Sequence, residues 1–199
     1  MLLAANFRQA TVDVYDGDLN LVGQFSDNDA PDGYAPFNVE ALKGMVFVTF
    51  AKQDDLKHDD VAGHGHGLID VFDPATGKFH RIATGTDAGG NNSFIDSPWG
   101  LAISPNGFGE HSDQLLVGNF GSGTIMSFDD HGRFEGLLRD AHNQRIVIDG
   151  LWALTFGNGT KAGVPGTLYF SAGPDKESHG LFGSLTPVTQ KHGHKHDRK

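Results

Sequence analysis

The chain has 199 residues, so one domain is the natural expectation, and with no cysteine it excludes disulfides, thiolate metal centres and thiol nucleophiles. A formal net charge of −10 argues against sequence-independent binding of nucleic acid, which needs Lys and Arg against phosphate, and against docking on an anionic membrane. No apolar run approaches the roughly 20 residues of a membrane helix, so membrane insertion by a helix is not expected.

Taken in chain order, the first predicted elements are strands over 2–6, 11–15 and 19–25. The opening Met1-Leu2-Leu3-Ala4-Ala5 reads as a strand rather than a signal peptide, because Gln114-Leu115-Leu116-Val117-Gly118 fills the same place later. A loop over 26–36, rich in Asp, Asn, Pro and Gly, leads to strands over 38–42, 45–51, 68–72 and 79–82. Asp73-Pro74-Ala75-Thr76-Gly77 is a turn between the last two, and 53–66 is a long insertion. After a Gly/Asn-rich loop over 85–98, strands are expected at 100–104, 114–119, 124–128 and 134–138. A final group covers 151–156, 167–172 and 180–185. The basic, His-rich segment 189–199 is expected to be a disordered tail, leaving 1–188 as the folded domain.

These groups repeat. Asn6-Phe7, two residues, then Ala10-Thr11-Val12-Asp13-Val14-Tyr15-Asp16 returns as Asn119-Phe120, two residues, then Gly123-Thr124-Ile125-Met126-Ser127-Phe128-Asp129. Gly67-Leu68-Ile69-Asp70-Val71-Phe72-Asp73 is a third copy, and His179-Gly180-Leu181-Phe182-Gly183-Ser184-Leu185 a degenerate fourth. Trp99-Gly100-Leu101 and Leu151-Trp152-Ala153 share a slot with Phe37-Asn38-Val39. A period of roughly 40–50 residues built from short strands predicts an all-β fold, the β-propeller, with one four-stranded antiparallel blade per repeat. The count is about three and a half blades, with the inner strand missing from the first. A propeller hides its strand edges by closing, typically with about 4–8 blades. The expectation is therefore part of a larger ring, completed by further chain, by self-association or by a second chain, with a strained, small closed ring as the alternative.

Several stretches carry a resemblance. They include Tyr34-Ala35-Pro36-Phe37-Asn38-Val39, Val48-Thr49-Phe50-Ala51-Lys52-Gln53-Asp54, Ser97-Pro98-Trp99-Gly100-Leu101-Ala102, Leu115-Leu116-Val117-Gly118-Asn119-Phe120-Gly121, Ile148-Asp149-Gly150-Leu151-Trp152 and Gly180-Leu181-Phe182-Gly183-Ser184-Leu185-Thr186. Together they resemble a family of exported bacterial β-propellers found beside exosortase (PEP-CTERM) sorted proteins. The resemblance implies a six-bladed, NHL-like ring of which this chain matches the C-terminal half. It implies an extracellular or periplasmic setting, and carries no activity over to this chain.

Chemistry in a propeller is sought at the channel mouth, where first strands converge. Asn38, Glu40, Asp96, Ser97 and Asp149 are the candidate ligand-binding residues there, and their oxygens suit Ca²⁺. One reading is a lactonase-like, calcium-dependent hydrolase centred on Glu40, Asp96 and Asp149. The other makes Asp96 and Asp149 turn residues bonding local backbone N–H groups. In the insertion, His64, His66, Asp59 and Asp60 are candidate metal ligands, set against a solvated loop with turn glycines. No HExxH, GxSxG, GxGxxG or GxxxxGK[ST] pattern accompanies them, and no catalytic residue is assigned. Asp27-Asn28-Asp29-Ala30-Pro31-Asp32-Gly33 lacks the twelfth-position Glu of a calcium loop, Asn38 falling there. Trp99 and Trp152 read as blade-to-blade packing, with a sugar-stacking platform as the sharper alternative. The balance favours a non-enzymatic binding or scaffold module with an extracellular protein or glycan partner.

Overall fold

The computed structural model describes residues 1–188; the tail expected over 189–199 lies outside the described residues. Fourteen strands make four antiparallel sheets, each running through its strands in chain order. The first sheet is β1 (Leu2–Asn6), β2 (Thr11–Tyr15) and β3 (Leu21–Phe25). The second is β4 (Tyr34–Leu42), β5 (Met45–Lys52), β6 (Leu68–Asp73) and β7 (Lys78–Thr84). The third is β8 (Pro98–Ile103), β9 (Leu115–Asn119), β10 (Ile125–Phe128) and β11 (Phe134–Leu137). The fourth is β12 (Leu151–Phe156), β13 (Leu168–Ala172) and β14 (Leu181–Leu185). β4 lies beside both β1 and β8, and β8 beside β12, so the sheets follow one another as propeller blades.

Turn chemistry sets the outer hairpins. The Gly77 N–H closes the β6–β7 turn on the Asp73 carbonyl at 2.8 Å, with Gly77 at φ 73°, a region glycine enters without penalty. Between β10 and β11 the Asp129 carboxylate accepts the His131 and Arg133 N–H groups at 2.9 and 2.8 Å. Most boundaries fall within about two residues of expectation, and the largest difference is at β4. β4 begins at Tyr34, so the loop expected over 26–36 ends earlier. Pro36 is tolerated because β4 is the inner edge strand of its sheet and need not donate on its open side.

The core is three blade-to-blade layers. Val12, Val48, Phe50 and Leu68 fill the first, Ile69, Leu101, Val117, Met126 and Phe128 the second, and Leu116, Ile125, Leu151, Leu154 and Leu168 the third. Fully burying one such side chain contributes about 1.5–3 kcal/mol. The ladders also fix which residues correspond between blades. Asp70 stands opposite Val48, Met126 opposite Val117, and Gly183 opposite Phe170. Val48, Val117 and Phe170 in turn face Val39, Leu101 and Leu154, each two residues beyond the repeated Phe37, Trp99 and Trp152. The fourth copy is therefore one residue out of the alignment its sequence suggests. Because side chains alternate, that shift exchanges faces and puts Phe182 where Val12, Ile69 and Ile125 stand.

Candidate functional site

Each inner strand of blades two to four is irregular at the same place. The pairing skips between Pro36 and Asn38, between Pro98 and Gly100, and between Leu151 and Leu154. The residues in those gaps include Phe37, Trp99 and Trp152. A bulge re-aims the side chain it carries, and here it turns three aromatic rings toward one another. Trp99 meets Trp152 edge-on at 5.2 Å, and Phe37 lies 6.0 Å from Trp152.

Two more rings come from the ends of β1 and β9, where Asn6-Phe7 and Asn119-Phe120 repeat. Phe7 lies 5.4 Å from Phe37, and Phe120 4.3 Å from Trp152. All five rings are half-buried, and every blade supplies at least one. The Trp152 Nε1–H donates to Glu177 Oε1 at 2.8 Å, fixing that indole. Aromatic pairs of this kind contribute about 0.5–1.5 kcal/mol beyond burial.

Beside Phe120 lies an acidic pair. Asn119, fully buried, donates through Nδ2 to the Phe94 carbonyl and to Thr124 Oγ1, both at 3.0 Å. Its Oδ1 accepts the Asp96 N–H at 3.0 Å, which fixes the start of the next segment. Asp96 Oδ1 accepts the Gly63 N–H at 2.7 Å, and a Cβ on Gly121 would come within 2.1 Å of that oxygen. Burial pushes the Asp60 carboxyl up, and the neighbouring Asp96 and Asp59 charges add to the effect. The nearby Ser97 hydroxyl partly offsets that rise, yet Asp60 Oδ2 and Ser97 Oγ are both buried with no partner in good hydrogen-bond geometry. Ser97 holds φ 48°, a left-handed conformation uncommon outside glycine.

Of the candidates read from the sequence, Asp60, Asp96 and Ser97 thus come together beside the aromatic cluster. The others go elsewhere. Asn38 donates through Nδ2 to the Trp99 carbonyl at 2.8 Å and ties β4 to β8. Glu40 sits further along β4, in a cleft of about 250 Å³ with Leu101, Ile103, Leu154 and Phe156. Burial among these apolar groups pushes its carboxyl up to about 7. Asp149 is exposed and accepts the Asp175 N–H at 3.0 Å, as a turn residue does.

The metal set is not assembled either. His64 Nδ1 lies 3.4 Å from the Ser93 carbonyl, and His66 Nδ1 2.6 Å from the Val61 carbonyl. Asp59 lies 3.1 Å from His58 on the surface. Among the described residues, no group of three or more His, Asp or Glu side chains gathers for a metal ion. The insertion is nonetheless more than a solvated loop. Gln53 bridges Asp60, His66 bridges Asp96, and Gly65 and Gly67 are buried, so the segment folds down between blades two and three. Sequence reading missed Phe7, Phe37 and Phe120. Their signal was present as a repeated aromatic after Asn, or after Pro in Pro36-Phe37 and Pro98-Trp99.

No family model matches the chain. Two uncharacterized proteins of Acanthamoeba polyphaga mimivirus are similar to it. One is 31% identical over 157 residues, covering 75% of this chain and 28% of its own length. The other is 33% identical over 193 residues, covering 92% of this chain and 48% of its own length. The chain thus spans about half the length, or less, of the curated relatives it matches. Among solved structures, a Bacteroides caccae protein of unknown function has TM-score 0.52 and 12% identity over 90% of this chain and 51% of that one. A gluconolactonase from Xanthomonas campestris has TM-score 0.51 and 19% identity over 93% of this chain and 58% of that one. At such identities the likeness is one of fold, and the fold is the β-propeller.

Proposed function

We propose that the protein is a non-enzymatic binding module that takes its ligand on the aromatic mouth formed by Phe7, Phe37, Trp99, Phe120 and Trp152. The observation that carries this reading is the convergence of half-buried rings from all four blades, three of them aimed by bulges at one repeated position. Ring faces bordered by carboxylates suit the apolar face and hydroxyls of a sugar, so a glycan is the ligand class this mouth fits best. The motif resemblance to exported propellers supports an extracellular or periplasmic setting. The rival, a calcium-dependent hydrolase, needs Glu40, Asp96 and Asp149 on one point. Their separate tethers make it the weaker reading.

The test is tryptophan emission during titration with soluble glucose- and N-acetylglucosamine-based oligosaccharides. Saturable change with at least one of them, weakened about tenfold by Trp152→Ala, is the expected result. Unchanged emission across the panel, or binding indifferent to Trp152→Ala, would remove the mouth as the site.

A further inference from the structure

The ladder correspondence assigns every strand position a face: one toward the following blade, one toward the preceding blade. Toward the following blade stand Val12, Ile69 and Ile125, each completely buried. Phe182 holds that position in blade four, yet it is 73% exposed. It stacks on Tyr169 at 5.8 Å and 12°, and Tyr169 corresponds to Leu116, which is fully buried in the third core layer. Blade four therefore presents the same kind of surface that three other blades cover, with its largest apolar residue at the centre.

Blade one presents the opposite kind of face, the one toward a preceding blade. It carries Leu2, Ala4, Tyr15 and Leu21 together with the polar Asn6, Thr11, Asp13 and Gln24, as the β1–β2 and β2–β3 ladders place them. Leu2 and Leu21 are each 53% exposed. In blade two the corresponding positions include Val46, Val48, Leu68, Asp70, Phe72 and Phe79, and they close over Val12 in the first core layer. Against Val12, a small residue, stand Val48 and Leu68, which are larger than their blade-one counterparts Ala4 and Thr11. Ala4 and Thr11 leave the extra room that Phe182 would fill. Such volume-compensated exchanges keep a packed layer intact.

We propose that a second copy of this chain covers Phe182 with its own blade one, head to tail, and that the reciprocal contact closes a ring of two copies and eight sheets. The contact continues the blade stacking that already recurs three times within the chain. Eight blades is the upper end of the common range, and a heterologous contact made twice about a two-fold axis closes rather than propagates.

The experiment is the mass of the 199-residue chain by light scattering at about 10 and 100 μM, with circular dichroism to confirm folding. A discrete dimer is expected, converted to folded monomer both by Phe182→Asp on one face and by Leu21→Asp on the other. Mixing the two variants should restore a two-copy species, because one intact contact survives between them. A monomeric parent chain overturns the proposal and leaves blades from elsewhere in a longer polypeptide as the cover. A dimer indifferent to both substitutions, or an open-ended series of sizes, overturns it as well.

Discussion

Blades one and two place an aspartate at the same strand position and treat it in opposite ways. Asp13 in β2 is bonded by neutral donors: Asn6 Nδ2 at 3.0 Å, Thr11 Oγ1 at 2.9 Å and Gln24 Nε2 at 2.7 Å. These hydrogen bonds, that from Gln24 foremost, hold its carboxyl below the ordinary range. Asp70 in β6 is completely buried, one oxygen pairing with the Arg81 guanidinium and the other lacking any hydrogen-bond partner. Burial pushes its carboxyl up to about 7, although Arg81 pulls the other way. Arg81 stands on the neighbouring strand where Gln24 stands in blade one, and it also reaches Asp27 in the loop after blade one. A repeat thus conserves a position in space without conserving its electrostatics. In blade two the buried acid draws in a second charge, whereas in blade one an acid nearly as buried makes do with amides and hydroxyls.

The largest way to break this contrast is to remove the arginine. Arg81→Ala leaves Asp70 and Asp27 as carboxylates with little solvent access and no cation; their side chains are 0% and 7% exposed. Stripping one partner from a buried ion pair typically costs about 3–5 kcal/mol. The lower end is expected here, because Arg81 itself is 27% exposed and Asp70 can take up a proton. Urea unfolding at pH 8 measures it. A loss below about 1 kcal/mol would mean the pair is a surface feature, worth no more than exposed bridges usually are.

The second contrast is one of sign. A carboxyl whose folded value is raised keeps its proton in the native state after the unfolded chain has released it. Stability then falls as pH rises from the unfolded value toward the folded one, and levels off above it. For Asp70 the window runs from 3.8 to about 7, and for Glu40 from 4.5 to about 7. Asp13 behaves oppositely: its contribution is present above 3.8 and disappears as pH falls through the depressed folded value. Asp70→Asn should flatten the decline between pH 4 and 7 by about 2–4 kcal/mol, and Glu40→Gln by about 1–3 kcal/mol. Asp13→Asn should instead cost stability at pH 7, and progressively less as pH falls below 3.8. Urea midpoints across pH 2–8 separate the three, and identical slopes for parent and Asp70→Asn would remove the raised Asp70 from the account.

The fold was legible because its signals are local and repeated. Alternating strands, the Asp73-to-Gly77 turn and the Asp129-to-Gly132 turn mark the hairpins, and four imperfect copies define the blades. The site was legible only in part. Asp96 and Ser97 are read for the channel mouth and Asp60 for a metal set, and the bonds from Gly63 N–H to Asp96 Oδ1 and from Asp96 N–H to Asn119 Oδ1 hold the segment that brings them together. Glu40 and Asp149 were placed with them on the assumption that equivalent residues of inner strands point alike. They are not equivalent: Asp96 precedes the bulge of its strand, Glu40 follows the bulge of its own, and Asp149 is taken up in a turn with Asp175. Read from sequence alone, Phe182 falls against Asp70 rather than Ile69; only the β13–β14 ladder places it correctly. Pairing register depends on partners distant in sequence, so a single strand read alone does not contain it.

The smallest expected effect tests whether the polar network of blade one is a true counterpart of the Arg81 bridge. Gln24→Ala removes the donor with the largest influence on Asp13, while Asn6 and Thr11 keep their bonds to the same carboxylate. Because the acid, though only 6% exposed, keeps its other two partners, the loss should be about 0.5–1.5 kcal/mol, the ordinary worth of one hydrogen bond. It should also raise the pH at which acid begins to unfold the protein, since the carboxylate is then easier to protonate. Urea unfolding at pH 7 paired with acid titration reads both. A Gln24→Ala loss as large as that of Arg81→Ala would show that the neutral network around the nearly buried Asp13 is worth as much to blade one as the Arg81 bridge is to blade two.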